Sequence, residues 1–117
     1  MDEVAKGFRD SRLELLDFFS NPEKQRAFAS QVPYDDYAEE FYCWWFDDFY
    51  PESDLFQRSF EHDEIDFLRA FSSVWAGRAD AIAPVQRSID DLLDHGGWRA
   101  IIEAARHSKA RIMDGAA

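Results

Sequence analysis

Nine of the seventeen residues from Tyr34 to Tyr50 are aromatic: Tyr34, Tyr37, Phe41, Tyr42, Trp44, Trp45, Phe46, Phe49 and Tyr50. Side chains this large do not stay in water together, so the segment must be ordered and cannot be a disordered acidic tail. Charge sharpens the constraint. Residues 35–66 hold twelve acids (Asp35, Asp36, Glu39, Glu40, Asp47, Asp48, Glu52, Asp54, Glu61, Asp63, Glu64 and Asp66) against one base, Arg58, a balance equal to the formal charge of the whole chain, −11. The other 85 residues carry twelve acids and twelve bases, so the acidity is local rather than a general solubility adjustment. A cationic partner is the natural complement of such a surface.

A length of 117 residues fits one domain, residues 1–117, with a conventional core. The single cysteine, Cys43, cannot form an internal disulfide, and no short apolar stretch follows a basic start, so a cytoplasmic protein is expected. No apolar run approaches the roughly 20 residues of a membrane span. The negative charge opposes direct binding to anionic lipid or nucleic acid phosphate.

The punctuation is helical throughout. Val4, Phe8, Leu15 and Phe19, with Leu16 and Phe18 widening the stripe, form the apolar face of a helix near the N-terminus, and Ser11 to Glu14 offers an internal start if Gly7 breaks the run. Asn21, Pro22 and Glu23 open a short second helix anchored by Phe28 and Val32 and ending before Pro33. Asp35 or Asp36 caps the acidic, aromatic helix, expected to run to about Tyr50 because Pro51 disfavours helical geometry before it. Asp54 caps a short segment with Leu55 and Phe56. A long helix starting between Ser59 and Asp63 carries Ile65, Leu68, Phe71 and Trp75 and is closed by Pro84. Ser88 starts a helix that Gly96 and Gly97 stop, and Trp98, Ile101, Ile102, Ala105 and Ile112 mark the last one. The expected fold is all-α, a single compact bundle of five to six mostly antiparallel helices.

At about 100° per residue, Tyr34, Tyr37, Ala38, Phe41, Tyr42, Trp45 and Phe49 share one broad face of the acidic helix, which is core. Asp36, Glu40 and Asp47 fall together on the other side, with Glu39, Cys43 and Tyr50 beside them and Trp44 and Phe46 flanking. An amphipathic helix always has a wet face, and that reading suffices for any one of these residues. The combination of like charges with interface-favoured aromatics points further, to partner binding through Asp36, Glu39, Glu40, Trp44, Asp47, Glu52, Asp54, Glu61 and Glu64, with Trp44 as the apolar anchor. Asp48 falls inside the apolar arc, where it needs an internal partner such as Arg69, Arg99 or a tyrosine hydroxyl; otherwise it is a recessed carboxylate that receives a partner's cation.

Nothing in the sequence announces catalysis. Cys43 sits among acids that disfavour a thiolate. His62, His95 and His107 form no metal-ligand spacing, and no phosphate loop or nucleophile elbow is present. Adjacent acids such as Asp47 and Asp48 point about 100° apart on a helix and do not make a hydrolytic pair. No enzyme activity, cofactor or metal is therefore expected.

The run Trp44-Trp45-Phe46-Asp47-Asp48-Phe49-Tyr50-Pro51, followed by Phe56, Ser59-Phe60-Glu61, Glu64, Leu68 and Phe71 and later by Trp98, Ile102 and Ala105, resembles small acidic helical immunity proteins of bacterial contact-dependent and other polymorphic toxin systems. The resemblance spans residues 37–105 and rests on aromatic spacing and acidity. It implies a cytoplasmic antidote that binds the toxic domain of a secreted effector and covers a functional surface, many such domains being nucleases with basic clefts. Two other readings stand beside it: a DNA mimic that blocks a defence nuclease or DNA-binding protein, and a small helical enzyme or ligand-binding bundle with a polar site near Asp48, Tyr37 and His62. The cationic residues of the last helix, Arg99, Arg106, Lys109 and Arg111, also leave homo-oligomerisation through the acidic face open.

Overall fold

A computed structural model describes residues 2–83 and 88–113. They form seven helices and no strand: α1 Glu3–Phe19, α2 Pro22–Gln31, α3 Tyr37–Phe46, α4 Asp54–Ser59, α5 His62–Ile82, α6 Ile89–Asp94 and α7 Gly96–Met113. The all-helical class is as expected. The count exceeds five to six because α4 and α6, six residues each, are independently capped by Ser53 and Ser88. The assembly measures 40 × 25 × 24 Å.

Local chemistry sets most boundaries. The Asp2 carboxylate accepts from the Ala5 amide at 2.8 Å and opens α1, which runs through Gly7 without a break. Its buried stripe is Ala5, Arg12, Leu16 and Phe19, whereas Val4, placed in the core by the sequence pattern, is 64% exposed. Asn21 caps α2 by accepting from the amides of Glu23 and Lys24, with Pro22 in the first turn where its missing N–H costs nothing. Phe28 and Val32 are only half-buried; the fully buried residue of α2 is Gln25. Its amide nitrogen donates to the carbonyls of Phe18 and Phe19, and its oxygen accepts from the Trp98 indole at 2.9 Å. One side chain thus satisfies the end of α1 and ties α1, α2 and α7 together.

Ser53, not Asp54, caps α4, and Glu61 occupies the cap position of α5. The long helix ends at Ile82; Pro84, expected to close it, lies outside the described residues. Gly96 and Gly97 begin α7 instead of merely stopping α6. A Cβ on Gly97 would lie 3.1 Å from the His95 ring and 3.3 Å from Ile82, so a larger residue at this helix start would require those side chains to give by a few tenths of an ångström. The Gly97 amide then donates to His95 Nδ1 at 3.0 Å.

The core is aromatic, as the sequence demands. α5 and α7 make the most extensive helix pair, and α1 packs on both α4 and α7. Trp45, Trp75 and Trp98 are fully buried, and the Phe19 ring lies 4.8 Å from Trp75, 6.3 Å from Trp45 and 6.5 Å from Trp98 in edge-on arrangements. The Trp45 indole donates to Ser72 Oγ at 2.8 Å, and that hydroxyl donates onward to the Leu68 carbonyl. Asp17 on α1 pairs with Lys24 and, at 2.7 Å, with Lys109, so one carboxylate links three helices and is held below its ordinary pKa by hydrogen bonds from those lysines.

The expectation that fails most instructively is the end of α3. It stops at Phe46, four residues short of Tyr50, because Arg12 from α1 reaches under it. Nη2 of Arg12 donates to the Trp45 carbonyl at 2.6 Å, and the guanidinium carbon lies 4.1 Å from the Trp45 ring centroid. A cation at the negative end of a helix is favoured, and the bond occupies one of the terminal carbonyls. Arg12→Ala should therefore cost roughly 2–4 kcal/mol, from the lost bond to a charged donor, the lost cation–π contact and the lost packing. Arg12→Lys should recover less than half of that, because a lysine cannot lie flat on an indole while donating sideways. Urea denaturation of the three proteins checks both; equal stabilities would remove this account of where α3 ends.

Candidate functional site

The acids of residues 35–66 divide into two groups. In the first, around α4 and the start of α5, the protein's own arginines meet Glu52, Asp54 and Glu64, while Glu61, Asp63 and Asp66 form no ion pair with a described residue. Glu64 takes a two-pronged bond from Arg9 at 2.7 and 2.8 Å, and Arg9 also donates to the Ser59 carbonyl and lies over the Phe60 ring. Glu52 pairs with Arg69, and Asp54 pairs with Arg58, which also meets Asp2 at 3.0 Å. Glu61 is exposed at the cap of α5, where its amide donates to Glu64 Oε1 at 2.8 Å. Of the nine residues expected to bind a partner, Glu52, Asp54 and Glu64 thus have internal ionic roles. Glu64 is mostly buried, and its bond to Arg9 holds it below its ordinary pKa.

The second group lies along α3 and the turn after it. Asp36 caps the helix, its Oδ1 accepting from the Glu39 amide at 3.0 Å. Glu39 and Asp47 are exposed and Glu40 is half-buried. Spacings of three and four residues place these three beside the half-buried Cys43, whose thiol pKa is raised by burial and then by the fields of Asp47, Glu39 and Glu40. No described residue forms an ion pair with Glu39, Glu40, Asp47 or Asp48. The thiol, surrounded by negative charge, is a poor nucleophile.

Trp44 is half-buried with its ring 4.9 Å from Phe28, 5.1 Å from Phe41 and 5.7 Å from Phe18, so it already serves the core. Aromatic exposure in this region belongs instead to Tyr42, at 37%, and Tyr50, at 64%. Asp48 corrects the wheel. Once α3 ends at Phe46 its helical position no longer applies, and it is exposed in the following turn rather than set in the apolar arc. Neither suggested arginine partners it: Arg69 pairs with Glu52, and Arg99 donates to the Asp94 carbonyl. The cation that feels Asp48 is Arg12, whose guanidinium is lowered by burial to about 10 despite the opposing pull of that carboxylate.

Of the residues suggested for a polar site, Asp48, Tyr37 and His62, only Tyr37 is buried. The Tyr37 hydroxyl is spent on the Val32 carbonyl at 2.9 Å, in a cleft shared with Arg26, Tyr34 and Asp90, while Asp48 and His62 are exposed. Among the described residues no group of three His, Cys, Asp or Glu side chains is placed to hold a metal ion, and no helix is long and apolar enough to cross a membrane. Sequence reasoning missed Arg12 and Arg9. The available signal for Arg12 was its helical register with Ala5, Leu16 and Phe19, which places a cation in a buried stripe; Arg9 had none. Comparison with protein-family models, curated proteins and solved structures finds no match.

The Arg9–Glu64 pair fixes a pH dependence. Glu64 has a folded pKa below its ordinary value of 4.5, so the folded state binds fewer protons than the unfolded one in the window beneath that value. Its stabilisation is complete above about 4.5 and is lost as pH falls through the folded pKa. Glu64→Gln should lower the urea midpoint at pH 7 and reduce its decline between about pH 5 and 3. A parallel decline in the two proteins would show that the pair does not contribute to acid sensitivity.

Proposed function

We propose that this chain is a non-enzymatic inhibitor: an immunity protein, acting in the cytoplasm, that binds and neutralises a basic toxin domain of the nuclease kind. The observation that carries the reading is the run of negative charge along α3: Glu39, Glu40 and Asp47 lie three or four residues from Cys43 on one side of the helix, without an ion pair to any described residue. Like charges held together on a rigid helix repel one another, and a cationic surface relieves that repulsion on docking. The exposed Tyr42 on the same helix supplies the kind of amphipathic contact that interfaces favour. The carboxylates govern encounter rate and specificity, and apolar contact holds the complex.

The test begins with affinity capture from the native host and mass spectrometry, followed by association kinetics with the captured protein. Replacing Glu39, Glu40 and Asp47 together by Lys spares the Asp36 cap, so helix content by circular dichroism should stay near wild type. Association at low salt should slow by about tenfold or more, and its dependence on ionic strength should flatten. An unchanged rate with a folded variant rules out this surface as the docking face.

A further inference from the structure

Between the first half of α3 and the last half of α5 lies a cleft of about 280 Å³, lined by Asp36, Glu39, Tyr42, Trp75, Asp80 and Ile82. The space exists because small residues border it: Ala38 on α3 and Ala79 and Ala83 on the far end of α5 put nothing beyond a Cβ into it. Its accessible aromatic surface is Tyr42, 37% exposed, set over the buried Trp75. The Tyr42 and Trp75 rings stand at 87° to one another with centroids 6.1 Å apart, and Phe46 stacks on Tyr42 at 4.3 Å and 29°, making this a fixed corner. Phe46 also meets Trp75 edge-on at 5.6 Å. Glu39 and Asp80, one from each helix, line the same cleft, and no described residue forms an ion pair with either.

Aromatic faces with carboxylates beside them select a cation that also has an apolar or flat body, because the ring quadrupole and the negative charges act on the same guest. The volume lies at the lower edge of the range usual for small-molecule sites and accommodates a single side chain. A guanidinium fits better than an ammonium: it stacks flat on one ring and presents N–H groups in its plane to carboxylates at the rim.

We infer that this cleft receives one arginine side chain of the protein partner, an inference that rests on the inhibitor reading and gives it a specific point of attachment. The probe is N-acetyl-arginine amide, titrated into the full-length ¹⁵N-labelled chain, with the neutral isostere N-acetyl-citrulline amide alongside. The expected result is saturable movement of the Trp75 indole N–H and the amides around Tyr42 with the arginine probe and none with citrulline. Glu39→Gln combined with Asp80→Asn should weaken that binding at least fivefold, and Ala79→Leu, which fills the space without touching a charge, should abolish it. Absence of saturable shifts, equal response to citrulline, or undiminished binding by folded Ala79→Leu overturns the inference.

At the level of the complex, Ala79→Leu should lower affinity for the captured partner at least tenfold, and full affinity in that variant likewise overturns it. The two readings fail separately. Should Ala79→Leu weaken the complex while reversal of Glu40 and Asp47, which do not line the cleft, leaves association untouched, electrostatic steering is wrong and the arginine pocket stands. Should charge reversal slow association while the probe never binds, the surface docks a partner without this pocket.

Discussion

Arg12 lies 2% exposed with its guanidinium on the Trp45 ring and one N–H on the Trp45 carbonyl, and this contact sits where the acidic helix α3 gives way to the turn that carries Asp47 and Asp48. Taking a cation out of water is costly, as its pKa of about 10 registers, and its Nε finds no hydrogen-bond partner. The compensation comes from three sources acting at one point: the negative end of α3, the face of the indole and the field of Asp48. Because Arg12 terminates α3, the chain turns outward at Asp47 and Asp48, and Phe49 comes back to stack on Trp45 at 5.6 Å from outside the helix. A continued helix would have buried Asp48; the arginine buries itself instead and leaves the carboxylate in water.

The same economy of polar groups runs through the core. Two of the three fully buried indoles donate to a side chain, Trp45 to Ser72 and Trp98 to Gln25, and each acceptor passes its own hydrogen to a helix carbonyl. Such relays give an aromatic core a register that ring packing alone does not specify, since rings tolerate several edge-on arrangements of similar energy. The bland residues Ser72 and Gln25 are therefore where orientation of the tryptophans is decided, and through Trp75 and its neighbours the orientation of the cleft as well.

How much of this was legible in the sequence follows from the range of each interaction. Asn21-Pro22, Asp36 and Ser88 announce helix starts because a cap acts within three residues, and the structure places all three as cap or first-turn residues. The end of α3 was not legible, because the residue that terminates it is 33 positions earlier in the chain. The division of the acids was hidden for the same reason: Glu64 is met by Arg9 across 55 residues and Glu52 by Arg69 across 17. A helical wheel sees one element, and a carboxylate's fate depends on which arginine another element brings. Periodicity did identify Tyr37, Phe41 and Trp45 as the buried face of α3, since those positions answer only to the helix's own period.

The helix dipole acts differently on the acids at the two ends of α3. Asp36, Glu39 and Glu40 occupy the cap and first turn, where negative charge is favoured by the exposed amides. Asp47 and Asp48 sit at the opposite end, where the dipole disfavours them, and Arg12 answers only part of that cost because it is itself buried and already bonded to the Trp45 carbonyl. Two adjacent exposed carboxylates at a helix C-terminus are thus the part of the acidic surface least accounted for by the protein's own stability. If a cationic partner has shaped this face, its imprint is strongest at Asp47 and Asp48, where charge is kept against the local field.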